Sequence, residues 1–120
     1  DTLLLANRAR VRLLGVDTPE TVREGYPVEP WGPEAHQFTK DFVAEDAGKV
    51  RLEFDRERLD RFGRYLAYVY VGDQLLNEEL IRAGLSRAEL HYSFSESMKA
   101  RFRRAQDEAR AANRGLWSDR

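Results

Sequence analysis

The sequence predicts an α+β fold, a small closed sheet with helices packed around it. Three observations carry that expectation. About five short strand-like segments and three helix-like ones follow in the order strands, helix, strands, helix, short strand, helix. The strand segments hold apolar residues on both faces, as strands covered on both sides do. The 120 residues show no internal repeat, low-complexity segment or linker, so a single domain over residues 1–120 is expected.

Taken in order, residues 3–6 and 10–16 read as two strands joined by a polar turn at Asn7-Arg8. In the second, Val11 and Leu13 share one face, and Leu14 and Val16 share the other with Arg12. Asp1-Thr2 runs straight into Leu3-Leu4-Leu5, as a strand entered part-way would, so further chain upstream is expected. Residues 21–32 hold Gly25, Pro27, Pro30 and Gly32 and read as a long loop, of the kind that tends to be functional or mobile. Pro33 suits the first turn of a helix, in which Ala35, Phe38 and Phe42 recur at helical spacing and which Gly48 can stop.

Residues 50–54 alternate apolar and polar and read as a strand, and the charge-dense residues 55–64 read as an exposed loop. Residues 65–71, rich in Tyr and Val, make a strong strand, followed by a turn at Gly72-Asp73. Residues 77–83 read as a short helix ended by Gly84, and residues 85–88 as a further short strand. Ser93 with Glu96 resembles a capping box, with Ser95 as a rival cap. The helix that follows presents Met98, Phe102, Ala105, Ala109 and Ala112 as one apolar stripe, with Arg101, Arg104, Asp107, Glu108 and Arg110 outside it. Gly115 stops it, and Leu116-Trp117 is expected to fold back onto the body.

Composition narrows the function. A chain this long buries roughly two thirds of its surface, enough for a core without staples. There are no cysteines, which excludes disulfides and thiolate metal sites, and His36 and His91 lack metal-ligand spacing. No apolar run approaches the roughly 20 residues of a membrane span, so no membrane partner is expected. Net charge is −1, so any polyanion contact must come from local placement of arginine rather than bulk charge.

The stretch RLLGVDTPET, residues 12–21, raises two readings. In one, Asp17-Thr18-Pro19-Glu20 simply caps a helix or makes a turn. In the other, Asp17 and the Thr18 carbonyl offer oxygen to a hard cation, with Asp1 on the neighbouring strand as a second carboxylate. Glu20 would then orient or deprotonate an attacking water. Arg12, inside an apolar strand, and Arg64, at the head of another, are each either a surface-paired arginine or a guanidinium aimed at a phosphate. Acids, a cation and two arginines in one place would hydrolyse phosphodiesters.

RLLGVDTPET, GPEAHQFTKDFV, VRLEFD, DRFGRYLAYVYVGDQLLNEELIRAGL and NRGLWSD together resemble the staphylococcal nuclease (thermonuclease) family, in order over nearly the whole chain. The resemblance implies a five-stranded OB-fold barrel with three α-helices, its first strand truncated here. It implies a Ca2+-dependent endonuclease of DNA and RNA, preferentially single-stranded, acting as a monomer and leaving 3′-phosphate and 5′-hydroxyl ends. Asp1, Asp17 and the Thr18 carbonyl would hold the Ca2+, Glu20 would be the general base, and Arg12 and Arg64 would bind phosphate. Asp60, Arg61, Phe62 and Tyr92 match the nucleotide pocket, with Arg61 replacing a lysine and Phe62 a tyrosine. Leu90 stands where a second aromatic is usual, which weakens stacking there. Tyr65 occupies a position that is often glycine. Family members are often exported, so a secreted or periplasmic location is expected. The alternative is a catalytically silent OB-fold module that binds single strands or acts as a scaffold.

Overall fold

A computed structural model of the chain describes residues 2–19 and 28–118. Strand β1 (Thr2–Leu4) pairs antiparallel with β2 (Arg10–Leu13), placing Thr2 opposite Arg12. A short β3 (Val16–Asp17) follows. Helix α1 (Gly32–Ala44) carries its proline in the first turn, as expected. Then come β4 (Arg51–Leu59), β5 (Tyr65–Val71), β6 (Gln74–Leu75), α2 (Leu76–Arg82), β7 (Arg87–Ala88) and α3 (Glu96–Ala111). A 3-10 turn over Gly115–Trp117 follows.

Five strands form one mixed sheet in the order β1-β2-β5-β4, with β6 paired to β5, and β3 and β7 form a second, two-stranded sheet. The β2–β5 pair is parallel, with Arg12 beside Leu66, and the other pairs are antiparallel. The α+β class with three helices is as expected, although the described strands do not close into a barrel. None of the described helices is long and apolar enough to cross a membrane.

Three local expectations change. The apolar run 10–16 is not one strand: it breaks at Leu14-Gly15, and β3 leaves the main sheet to pair with β7. Gly15 has φ 73°, and a Cβ there would stand 2.5 Å from the Phe102 ring, so the corner needs glycine both for its conformation and for the close approach. The first half of the charged stretch predicted as a loop is strand, since β4 runs on to Leu59. It is an exposed edge strand with a register shift between Phe54 and Leu59, and such an edge tolerates charge on both faces. The α3 cap is Ser95, whose Oγ accepts from Met98 N–H at 3.3 Å; Ser93 instead accepts from Arg56. Ala112, expected in the apolar stripe of α3, is exposed at its end.

The core lies between the main sheet and the helices. Phe94, Phe102 and Tyr68 form a ring cluster with centroids 6.0–6.5 Å apart. Val11, Leu13, Val69, Leu76 and Leu80 complete its centre. Asn77 is fully buried in this apolar setting. Its Oδ1 accepts from Val69 N–H at 2.9 Å, and its Nδ2 donates to the carbonyls of Leu14 and Ala67 at 2.8 and 3.2 Å. One amide thus ties α2 to β5 and to the Gly15 corner, and a buried amide satisfied this way is costly to remove. The C-terminal turn folds back as expected: Leu116 N–H donates to the Gly84 carbonyl at 2.8 Å, and a Cβ on Gly84 would stand 2.2 Å from the Arg114 carbonyl oxygen.

Candidate active site

The parallel β2–β5 pair brings the two candidate arginines together. Arg12 lies within β2, and Arg64 immediately precedes β5. Arg12 Nη1 donates to the carbonyls of Leu13 and Val16, each at 2.7 Å. The Gly15 corner therefore wraps its own carbonyls round the guanidinium. Burial, and after it the positive charge of nearby Arg64, hold the Arg12 pKa below the ordinary arginine value, against the opposing pull of Tyr92, Asp17 and Glu89.

Arg64 is positioned by the turn it ends. Asp60 Oδ1 accepts from the N–H groups of Phe62 and Arg64, both at 2.9 Å, and its Oδ2 accepts from Arg64 Nε at 2.7 Å. Short-range side-chain to backbone bonds of this kind are what fix aspartate turns. Burial works against ionisation of Asp60, but these donors keep its carboxyl below the ordinary carboxylate value. Arg64 Nη1 also reaches Thr2 Oγ1 at 3.4 Å, and Arg10 Nη2 donates to the Phe62 carbonyl at 2.7 Å. Asp60 is committed to this turn, so its place in the pocket is that of a brace for Arg64.

Arg12, Asp60, Arg61, Phe62, Arg64 and Tyr92 all line one open cleft of about 880 Å³. Phe62 is 57% exposed and Tyr92 51%, so both rings offer faces to a ligand. The guanidinium of Arg61 lies 4.9 Å from the Phe62 ring centroid and that of Arg64 5.5 Å. Six of the ten residues singled out from sequence thus meet here. Tyr65 does not line this cleft; its ring packs 5.9 Å from Phe54.

Of the other four, Asp17 is exposed on β3, and its N–H is held by Ser86 Oγ at 2.9 Å. Thr18 is buried and lines a neighbouring cavity of about 410 Å³ with α1. Asp1 and Glu20 lie outside the described residues. Among the described residues no three His, Asp or Glu groups stand close enough to hold a metal ion. The Asp17 carboxylate and Thr18 carbonyl are oxygen donors, the kind Ca2+ takes, so the donor chemistry of the described pair fits.

Two cleft residues were missed from sequence. Asp55 was read as loop charge, but its Oδ2 accepts from the Tyr68 hydroxyl and from Ser95 N–H, the latter at 3.0 Å. Burial opposes its ionisation, yet the bonds from Tyr68, Ser95 and Arg56 keep its carboxyl below the ordinary range. Tyr68 is pushed above its ordinary value by burial and then by this carboxylate. His91, set aside for want of metal spacing, lines the cleft beside Tyr92.

The family model described as staphylococcal nuclease homologue matches residues 10–119. The chain belongs to that family. It is 40% identical over 125 residues to a thermonuclease of Staphylococcus hyicus, covering 99% of this chain and 70% of the relative. It is 44% identical over 108 residues to a thermonuclease of Staphylococcus intermedius, covering 90% of this chain and 62% of the relative. It is 39% identical over 109 residues to Endonuclease YncB of Bacillus subtilis, covering 90% of this chain and 51% of that protein. The chain therefore spans roughly half to two thirds of the length of these staphylococcal nuclease relatives.

Proposed function

We propose that this chain is a nuclease that hydrolyses phosphodiester bonds in DNA and RNA, using Ca2+ and preferring single strands. One observation carries the reading: Arg12 and Arg64, held beside each other by neighbouring strands, line the same cleft as the exposed rings of Phe62 and Tyr92. Two like charges kept close together favour a dianionic guest, and a phosphate becoming pentacoordinate is one. The names of the thermonuclease and endonuclease relatives support it.

In this scheme Asp1, Asp17 and the Thr18 carbonyl hold the Ca2+, which when bound polarises a phosphoryl oxygen. Glu20 takes the proton of the attacking water. Arg12 and Arg64 donate N–H bonds to the phosphoryl oxygens as negative charge builds on them. The water oxygen bonds to phosphorus, the bond from phosphorus to the 5′-oxygen breaks, and that oxygen takes up a proton. The products carry a 3′-phosphate and a 5′-hydroxyl. Asp60 keeps Arg64 oriented, Arg61 meets a flanking phosphate, and Phe62 and Tyr92 stack on bases. Such stacking needs bases already unpaired, which gives the single-strand preference.

The test is cleavage of single-stranded DNA in Ca2+, with and without chelator, beside the Glu20→Gln variant. The reading expects chelator-sensitive cleavage, largely abolished in the variant. Saturable binding with intact strands, in an assay that detects a control nuclease, would instead support the silent binding module.

A further inference from the structure

The turn that carries Phe62 is tied down from outside the cleft. Strand β4 ends at Leu59 and β5 begins at Tyr65, so residues 60–64 lie beyond the strand ladder. Their own bonds close the turn on itself: Asp60 N–H donates to the Arg64 carbonyl at 2.8 Å, and Gly63 N–H donates to the Asp60 carbonyl at 3.1 Å. These bonds, with those of the Asp60 carboxylate, set the shape of the turn. They do not set the direction in which its tip leans. Packing does little to set it either: a Cβ on Gly63 would meet nothing within 4 Å, and the Phe62 ring is exposed.

One side chain from another strand reaches the tip. Arg10, the first residue of β2, donates from Nη2 to the Phe62 carbonyl at 2.7 Å. The bond is short and its donor is charged, which places it among the stronger kinds of hydrogen bond. Arg10 does not line the cleft, whereas Arg61, Phe62 and Arg64 do. It therefore acts on the back of the turn. Holding the Phe62 carbonyl holds the rigid peptide plane between Phe62 and Gly63, and so limits where the Phe62 ring can swing. The Arg61 guanidinium, 4.9 Å from the centroid of that ring, is placed along with it.

We infer that Arg10 is a positioning residue: it holds Phe62, and with it Arg61, at the rim of the cleft without touching the nucleic acid. The inference rests on the nucleic-acid reading of the cleft. A ring held in place beforehand loses less freedom when a base stacks on it, so the gain lies in affinity rather than in chemistry. Arg10 is itself exposed, so its single bond adds little to folding stability.

The experiment compares Arg10→Ala and Arg10→Lys with the unaltered chain, and repeats Arg10→Ala in a Phe62→Ala background. KM and kcat are measured on single-stranded DNA with Ca2+. Kd is measured in chelator by anisotropy of a labelled strand at several salt concentrations, and urea unfolding is followed for each variant. Arg10→Ala should raise KM and Kd about two- to tenfold, the scale of one side chain left to be ordered on binding, with kcat and the urea midpoint held. Arg10→Lys, which keeps a charged donor, should restore most of the loss. In the Phe62→Ala background Arg10→Ala should cost nothing further, as for two residues that act as a unit. The slope of log Kd against log salt should stay the same. Unchanged KM and Kd in Arg10→Ala would overturn the inference. So would an undiminished loss in the Phe62→Ala background, or a slope reduced by one contact, since either would make Arg10 a phosphate contact in its own right. A lowered urea midpoint with a loss of kcat would make it a plain fold contact and overturn the inference too. A chain that binds but never cleaves would remove the nuclease reading, and the Kd arm would still judge Arg10. A chain that binds no strand at all would overturn both.

Discussion

Two arginine clusters in this molecule face opposite electrostatic situations. Between α2 and α3, Arg82 donates to Glu78, Glu79 and Glu108, and Arg101 donates to Glu78 at 2.7 Å. Burial disfavours the charge on Glu78, but its bonds from Arg101 and Arg82 keep the carboxyl below the ordinary range. Arg101 is raised, first by its bond to Glu78, and Arg82 is raised by its carboxylates against burial. That cluster satisfies itself. In the cleft, Arg12 points at backbone carbonyls and is lowered by burial and by Arg64. A partly buried cation held beside a like charge, as Arg12 is, describes a place that gains by taking in an anion. Arginine count alone would not separate the two clusters; the sign of the shift does.

The largest effect should come from breaking the cleft side of this contrast. Replacing Arg64 with Ala is expected to lower kcat by about 100- to 1,000-fold, the scale of losing one donor aimed at developing charge. Arg82→Ala, which removes an arginine bonded to three carboxylates, should leave kcat per folded molecule within about twofold. Steady-state cleavage of one single-stranded substrate measures both. Comparable losses in the two variants would erase the distinction between the clusters.

The α2–α3 side should break in stability instead. Glu78 is only 9% exposed and joins two arginines, so Glu78→Ala leaves both without their shared partner. Each arginine side chain is roughly a third exposed and regains some water, so the cost should be about 1–3 kcal/mol, below that of a fully buried pair. Urea unfolding measures it.

Acid titration sharpens the same point. The Glu78 carboxyl is lower in the folded chain than in the unfolded one, so the unfolded chain binds more protons as pH falls through the carboxylate range. The stability it contributes is present above an unfolded pKa of about 4 and is lost as pH falls through the lowered folded value. Glu78→Gln should flatten that acid limb. An unchanged slope would show that the network contributes little. Asp55 shares the sign, so Asp55→Asn should flatten the limb too, and by a separate contact.

What could be read from sequence followed from what each element must bury. Strand β5 and α3 announce themselves because one buries Val and Tyr nearly throughout and the other carries an apolar stripe. The extension of β4 was hidden because an edge strand in water needs no apolar alternation. The break at Gly15 was hidden because its cause, the Phe102 ring, arrives from far along the chain. The same holds in the cleft. Arg12 and Arg64 stood out as charges at strand positions, and the family resemblance assigned Phe62 and Tyr92. Asp55 and His91 did not stand out, since their places in the cleft depend on contacts with Ser95 and Tyr92 made only by folding or by local backbone direction. Asn77 looked like an ordinary helix-start residue and became visible only once β5 and the Gly15 corner closed on its amide.

The smallest expected effect separates local placement from bulk charge. Arg61 and Arg104 are both exposed arginines, one at the cleft over Phe62 and one on the outer face of α3. Removing either changes net charge equally. If the cleft binds the strand through placed contacts, Arg61→Ala should raise KM about three- to tenfold and reduce the slope of log KM against log salt by about one phosphate contact, with kcat held. Arg104→Ala should change neither. A chain whose net charge is −1 has little long-range attraction to offer a polyanion, so nearly all of its affinity has to be local. Equal losses in the two variants would mean that the strand responds to total charge, and the contrast between a self-satisfied cluster and an anion-seeking cleft would no longer account for binding.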